Sequence, residues 1–256
     1  MNKSQIKDIY ENEGCVVIPE FFLENELKDI YPIILKVHQR WLEINKKEYL
    51  KYKMIYSNNL TIKDHFDSEN SFDRINLFNF ITSDKINSLV RTLIGNEAFF
   101  LGSQVFFNPK DHTKEGYWHR DTQYTGMAVE EQKKAILNEP VLHFHIPFID
   151  DHHFELVPGS HKRWDSKEEF EVRMNSNNSA LGHSKSYDCK RGEIRVFSAH
   201  AIHRGKAYGP SPERFVFDPL FALRTEKSSS FINPKGMPCA ELLKHISNRG
   251  LFFEVD

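Results

Sequence analysis

The chain of 256 residues carries 34 Lys plus Arg against 36 Asp plus Glu, a formal net charge of −2. So balanced a charge gives no general attraction to nucleic acid or to an anionic membrane, and no apolar run approaches the roughly 20 residues of a spanning helix. Cys15, Cys189 and Cys239 are far apart and lack metal-finger spacing, so they read as reduced thiols of a cytoplasmic protein. The polar opening MNKSQIKDIYENEG has no apolar stretch of the kind a secretory signal needs. The length suits one domain with a substantial core, and residues 1–256 are expected to form one unit. Nothing in the composition bears on oligomeric state.

In chain order, GCVVIPEFF reads as a short strand. Leu27, Ile30, Ile34, Val37 and Trp41 then recur at helical spacing, with Pro32 expected to kink that helix or delay its start. A second helix is expected to be capped by Ser83, with an apolar face of Ile86, Leu89, Val90, Leu93 and Ile94 and a stop at Gly95. From there strands dominate, predicted over residues 98–101, 104–108, 117–124, 141–148, 194–197 and 215–223. Ser166 is placed to cap a surface helix over 166–174. Pro158 and Gly159 in ELVPGSHKRW make a turn, and RGEIRVFSAH runs from a Gly-Glu turn into a strand that ends near His200 and His203. Residues 110–116 and 175–186 read as loops, and loops at a barrel mouth usually set substrate choice. The helical part thus reaches about residue 95 and packs on the strand-rich remainder, a mainly β arrangement with flanking helices (α+β).

Two short patches can be read as one metal site. In YWHRDTQY, His119 and Asp121 stand two apart on an extended segment and so point to the same side. His203, in FSAHAIHRG, is the candidate third donor. Two imidazoles and one carboxylate on one face leave the other face open, an arrangement suited to a non-haem Fe(II) centre that binds a co-substrate and dioxygen. Thirteen histidines make chance His-x-Asp pairs common, so the pair gains weight only from its aromatic neighbours Tyr117, Trp118 and Tyr124 and from the downstream pattern. His200 competes with His203, but Arg214, eleven residues after His203 in ERFVFDPLF, favours His203. The planar fork of an arginine grips both oxygens of a carboxylate, which fits the distal acid of a keto-diacid; the bland alternative is a surface ion pair with Glu213 or Asp218.

Taken in order, GCVVIPEFFLENEL, WHRD, VPGSH, RGEIRVF and the stretch from His203 to Arg214 resemble the phytanoyl-CoA dioxygenase (PhyH) family of Fe(II)- and 2-oxoglutarate-dependent oxygenases, over nearly the whole chain. The resemblance implies a double-stranded β-helix, a jelly-roll or cupin-like barrel with iron near one open end. By position, His119, Asp121 and His203 become the iron ligands and catalytic set, and Arg214 becomes the 2-oxoglutarate clamp. The implied reaction uses dioxygen, releases succinate and carbon dioxide, and hydroxylates an unactivated C–H bond. Related halogenases usually carry a small residue in place of the carboxylate, so Asp121 argues against halogenation.

Two positions depart from the family pattern. Many relatives carry a tryptophan on the strand before the VPGSH turn, where this chain has VLHFHIPF; His143 and His145 alternate with apolar residues and are expected to face inward together. The hydroxyl donor often found two residues beyond the distal histidine is replaced by Gly205, and His145 or Gln104 are the candidates to supply that hydrogen bond to the co-substrate. His143 or His145 can equally be a buried histidine satisfied by a backbone carbonyl. Asp150, Asp151, His152 and His153 read as a solvated turn rather than a second metal site, His161 as a tie for the VPGSH turn, and most of the 21 phenylalanines as core. Gln104, Gln123, His143, His145 and Arg195 at expected inward positions, with Tyr124 and Met127 as an apolar wall, favour a small polar metabolite over a long lipid. Two rival readings remain: a cupin-like metalloenzyme that does not use 2-oxoglutarate, and a non-catalytic barrel-fold binding protein.

Overall fold

Alternate residues of one strand, Val141–Pro147, face two different environments. Leu142, Phe144 and Ile146 join the large apolar core, whereas His143 and His145 turn to the opposite face, as the period of two requires. The same sorting holds on its neighbour: Ile194 and Val196 enter that core, while Phe197 joins a smaller cluster with Phe154 and Leu156. A computed structural model describes residues 1–52, 56–68, 71–108, 116–175, 179–206 and 213–252. Among these residues the strands are β1 Cys15–Ile18, β2 Tyr56–Asn58, β3 Ala98–Phe107, β4 Val141–Pro147, β5 Phe154–Leu156, β6 Lys185–Ser186, β7 Ile194–Ser198, β8 His203–Gly205 and β9 Phe215–Leu223. They form a six-stranded sheet in the order β1-β7-β4-β9-β3-β2 and a three-stranded sheet in the order β6-β5-β8, every pairing antiparallel. The rings of Phe154 and Phe197, 4.5 Å apart, join the two sheets, giving the jelly-roll layout with a space between its layers.

The outer face of the large sheet is covered by helices. They are α1 Lys3–Glu13, α2 Glu24–Ile44, α3 Lys46–Tyr52, α4 Phe72–Ile81 and α5 Asp84–Leu93. Leu27, Ile30 and Ile34 of α2, Leu77 and Phe78 of α4, and Phe144, Val196 and Phe217 of the sheet share one core. The predicted helices are present as α2 and α5, with Pro32 inside α2 rather than delaying its start. Ser83 does take the cap position of α5, but its side chain makes no capping hydrogen bond. The helix predicted at 166–174 is Lys167–Met174, capped reciprocally by Ser166 and Glu169. Phe78, Phe100, Phe221 and Phe252 meet edge to face at centroid distances of 5.2 to 6.4 Å; truncating one such ring typically costs about 3–5 kcal/mol.

Three expectations change. Residues 98–101 and 104–108 are not two strands but the single β3, whose register shifts between Phe100 and Gly102, where a bulge absorbs the interruption. Residues 117–124 are not a strand: His119 makes one isolated bridge to His203, and a 3-10 turn starts at Asp121. Residues 185–186, within the stretch read as a loop, form β6. Most of the loop expected at 110–116 lies outside the described residues. No described helix is long and apolar enough to cross a membrane, and all three cysteines are free thiols, with Cys15 and Cys189 buried.

Candidate functional site

Two backbone hydrogen bonds, 3.0 and 2.9 Å long, run in both directions between His119 and His203, and the N–H of Asp121 donates to Ala199 at 3.0 Å. Arg120 keeps extended dihedrals, so the two-residue spacing still brings His119 and Asp121 to one side although no strand continues beyond them. Each histidine ring donates Nδ1–H to the carbonyl two residues earlier, His119 to Tyr117 and His203 to Ala201, both at 2.9 Å. In the neutral ring those bonds select the tautomer whose lone pair is on Nε2, and both Nε2 atoms lie 3.6 Å from the same atom, Oδ1 of Asp121. Two bonds of about 2.1 Å to one ion span up to about 4.2 Å, so these three donor atoms fit a single shared metal. Burial, aided by the neighbouring His119, pushes His203 down to about 3, so its imidazole is neutral and ready to ligate.

The second oxygen of Asp121 is held by His143. Nε2 of His143 lies 2.7 Å from Asp121 Oδ2, and its Nδ1 lies 2.7 Å from Asp218 Oδ2. Burial alone would push the imidazole toward neutrality, but Asp218 and Asp121 outweigh it and hold His143 up at about 10. A carboxylate faces each ring nitrogen, so both nitrogens donate and the ring is an imidazolium. Burial likewise raises Asp121, yet His143, His203 and His119 together hold its carboxyl well below the usual range. Asp218 also accepts from Gln104 Nε2 at 2.7 Å and, through Oδ1, from the Phe144 N–H at 2.9 Å.

At the other end of the cavity stands Arg214, buried and packed over the Phe106 ring. Its Nε and Nη2 donate to Asp151 at 3.1 and 3.2 Å, and Arg195 Nη2 donates to the same carboxylate at 2.5 Å. Asp151 thus divides one negative charge between two guanidinium groups. Burial opposes its ionisation, but Arg214 and Arg195 hold its carboxyl well below the usual range. The reading of residues 150–153 as a solvated turn is therefore corrected for Asp151, which is wholly buried, and for His153, which is nearly so. The arginines have drawn that carboxylate inward.

The cavity between these two ends measures about 390 Å3 and is lined by the three candidate ligands, Arg214, Gln104, His143, His145 and Tyr124. Two expected substrate contacts do not reach it. Arg195 lies behind His145, committed to Asp151 and to the Tyr187 carbonyl, and Gln123 turns away to accept from Arg173 Nη1 at 2.7 Å; Met127 does not line the cavity either. Tyr124 donates its hydroxyl to that of Tyr117 at 2.6 Å, and with Tyr56 these rings border the cavity beside His119. His200 is occupied with the Glu139 carbonyl at 2.6 Å, away from the ligand set.

Arg120, between the two candidate ligands in sequence, carries no signal in the sequence, yet it ties the site together. It is wholly buried and donates to Asp165 at 2.8 Å, to the Ser160 carbonyl of the VPGSH turn at 2.8 Å, to the Arg163 carbonyl and to the His200 carbonyl. His161 of the same turn sits against the end of α1: a Cβ on Gly14, where φ is +77°, would lie 2.5 Å from His161 Nδ1. Nothing local in WHRD announces which backbone its arginine will join, because all its partners are distant in sequence.

Residues 10–208 match the family described as Phytanoyl-CoA dioxygenase (PhyH). No curated protein sequence gives a significant match. Among solved structures, AviO1 from Streptomyces viridochromogenes Tue57 is 13% identical with a TM-score of 0.60, over 86% of this chain and 95% of that one. EctD from S. alaskensis, solved with 2-oxoglutarate and 5-hydroxyectoine, is 12% identical with a TM-score of 0.59, over 86% and 76%. HygX from Streptomyces hygroscopicus, solved with nickel and 2-oxoglutarate, is 14% identical with a TM-score of 0.59, over 85% of each chain. At these identities the likeness is one of fold, and the family match spans most of the sequence. With its jelly-roll layers and its two histidines and one aspartate converging between them, the chain belongs to the phytanoyl-CoA dioxygenase family of Fe(II)- and 2-oxoglutarate-dependent oxygenases.

Proposed function

We propose that the protein is a dioxygenase that hydroxylates an unactivated C–H bond of a small, polar metabolite, with His119, Asp121 and His203 holding Fe(II) and Arg214 anchoring 2-oxoglutarate. The observation that carries this reading is the convergence of two fixed Nε2 lone pairs and one carboxylate oxygen on a cavity whose other end holds Arg214. When bound, Fe(II) and 2-oxoglutarate activate dioxygen, giving succinate, carbon dioxide and an oxidised substrate. The chain's own residues do the rest. His203 arrives neutral, so no proton has to leave it before ligation, and the Nδ1 bonds of both histidines aim Nε2 at the shared position. His143 occupies Oδ2 of Asp121, which leaves Oδ1 to ligate and stops the carboxylate from rotating. Arg214 meets an incoming carboxylate with a guanidinium already oriented by Asp151, so little side-chain freedom is lost on binding.

A small polar substrate is supported by the modest cavity and by the hydroxyls of Tyr56, Tyr117 and Tyr124 at its border. The small molecule named with EctD, 5-hydroxyectoine, points the same way. The test is anaerobic addition of Fe(II) and 2-oxoglutarate to metal-free protein, followed in the visible spectrum. A charge-transfer band that needs both additions and is lost in His119→Ala and Arg214→Ala is the expected result. Iron binding without a band would point to a metalloenzyme that does not use 2-oxoglutarate, and no iron binding would leave a non-catalytic barrel.

A further inference from the structure

His145 presents a buried hydrogen-bond donor that no described protein group satisfies. The residue is 2% exposed, and its Nε2 has no hydrogen-bond partner among the described residues. The nearest carboxylate oxygen, Asp218 Oδ2, stands 3.7 Å away and already accepts from His143 and Gln104. On the other side of the ring, Nδ1 lies 2.6 Å from Arg195 Nη2. A guanidinium has only donors, so Nδ1 must accept, and the ring proton must sit on Nε2. That Nε2–H group belongs to a ring lining the cavity, and both His145 and Arg214 pack on the Phe106 ring, at 5.2 and 5.0 Å. Leaving such a donor buried and unpaired is costly, which is a reason to look for the acceptor among ligands.

His143, His145 and Asp218 also bring ligating atoms within 4.8 Å of one another, but the hydrogen bonds decide against a metal there. Both nitrogens of His143 donate to carboxylates, both oxygens of Asp218 accept, and the proton on Nε2 of His145 removes its lone pair. Gln104 Nε2 already donates one of its two N–H groups to Asp218, so unlike Nε2 of His145 it is not left without a partner.

We propose that Nε2–H of His145 is the second donor to the distal carboxylate of 2-oxoglutarate, beside Arg214 and in place of a hydroxyl at Gly205, and that Arg195 is the positioning residue that holds the imidazole in this tautomer. This role rests on the oxygenase reading above. The strand register builds the arrangement: His145 stands directly opposite Arg195 across β4 and β7, and Gln104 opposite Asp218 across β3 and β9. The result is one polar row across the concave face; among its described members Nε2 of His145 and Nε of Arg195 are both left without a partner, and of these two residues His145 lines the cavity.

The test is anaerobic titration of the Fe(II) protein with 2-oxoglutarate, read by the charge-transfer band and by calorimetry. A donor to a charged carboxylate is worth about ten- to hundredfold in Kd, so His145→Ala and His145→Asn should weaken binding by about that factor. His145→Gln, whose terminal amide reaches the Nε2 position, should retain it. Equal Kd values in wild type, H145N and H145Q would overturn the assignment. A readout on the unaltered protein serves even if the variants fold poorly. In the Zn(II) form labelled with 15N-histidine, His145 should show an Nε2–H tautomer whose resonance shifts with 2-oxoglutarate but not with pyruvate, which lacks the distal carboxylate. An Nδ1–H tautomer, or the same shift with both acids, would sink the assignment. Wild-type protein that binds iron but gives neither band nor heat with 2-oxoglutarate would instead sink the oxygenase reading itself.

Discussion

Nε2 of His143 stands 2.7 Å from Oδ2 of Asp121, while the other oxygen of that carboxylate faces Nε2 of both His119 and His203 at 3.6 Å. One aspartate thus faces two ways, with one oxygen toward the two histidines of the proposed metal site and one toward an imidazolium anchored in turn by Asp218. A charged chain of carboxylate, imidazolium and carboxylate in a buried setting is stable only while every member is present.

Replacing His143 should therefore be felt in two measurements. His143→Leu leaves Asp218 buried without its counter-charge and Asp121 free to turn. Urea unfolding should show a loss of about 3–5 kcal/mol, and a Co(II) or Fe(II) titration should show metal affinity lowered by about 10- to 100-fold. Unchanged metal affinity in a folded variant would mean that Asp121 is oriented by something else.

Asp151 and Arg214 should respond asymmetrically. Asp151→Ala strips a shared counter-ion from two buried guanidiniums, and chemical denaturation should register about 3–5 kcal/mol. Arg214→Ala leaves Asp151 still paired with Arg195, so its stability loss should be smaller, about 1–2 kcal/mol, whereas its 2-oxoglutarate band should disappear. If the two variants lose stability equally, Arg195 does not compensate for Arg214.

The residues legible in the sequence are those whose arrangement is local. His119 and Asp121 share a face because they stand two apart on extended backbone, and His143 and His145 face inward for the same reason. The cross-strand groups were not legible: the partnership of His143 with Asp218 depends on register between strands about 75 positions apart, and Asp151 reads as solvated because its two arginines are far along the chain. Helix α4 is not legible because Phe72, Ile75, Leu77, Phe78, Phe80 and Ile81 surround it instead of forming a stripe, and α1 is not because it buries only Ile6 and Tyr10. Another helix, Val129–Asn138, gives no stripe for a similar reason, burying only Gln132, Ala135 and Ile136.

Arg120 offers a test of how the motifs are joined. Its guanidinium binds the Ser160, Arg163 and His200 carbonyls and Asp165, so the ligand segment, the VPGSH turn and the run before His203 are held by one side chain. Arg120→Lys keeps the charge but loses the planar fork. Thermal unfolding should reveal destabilisation of about 3 kcal/mol or more, and metal affinity should fall even though no ligand is altered. A lysine variant with wild-type stability and metal binding would show that the three segments hold together without it.

Acid sensitivity of the fold should come in part from a histidine that does not line the candidate site. His38 on α2 is nearly buried between the Phe107 and Phe215 rings, with Nδ1 3.0 Å from the Ser57 hydroxyl, and burial pushes it down to about 4 from 6.5. Between these two values the unfolded chain binds a proton that the folded chain refuses, so stability is fully present above pH 6.5 and declines as the pH falls through the window to 4. The full difference amounts to about 3 kcal/mol for this one group. Because other groups also titrate there, the informative quantity is a difference: urea unfolding at pH 7 and at pH 4.5, for wild type and for His38→Asn, which keeps a polar atom near Ser57 but does not titrate. The variant should lose less stability than wild type on acidification, by about 2–3 kcal/mol. Equal losses in the two proteins would mean that His38 accepts its proton in the folded state, and that the core between α2 and β9 admits a charge that its aromatic lining should exclude.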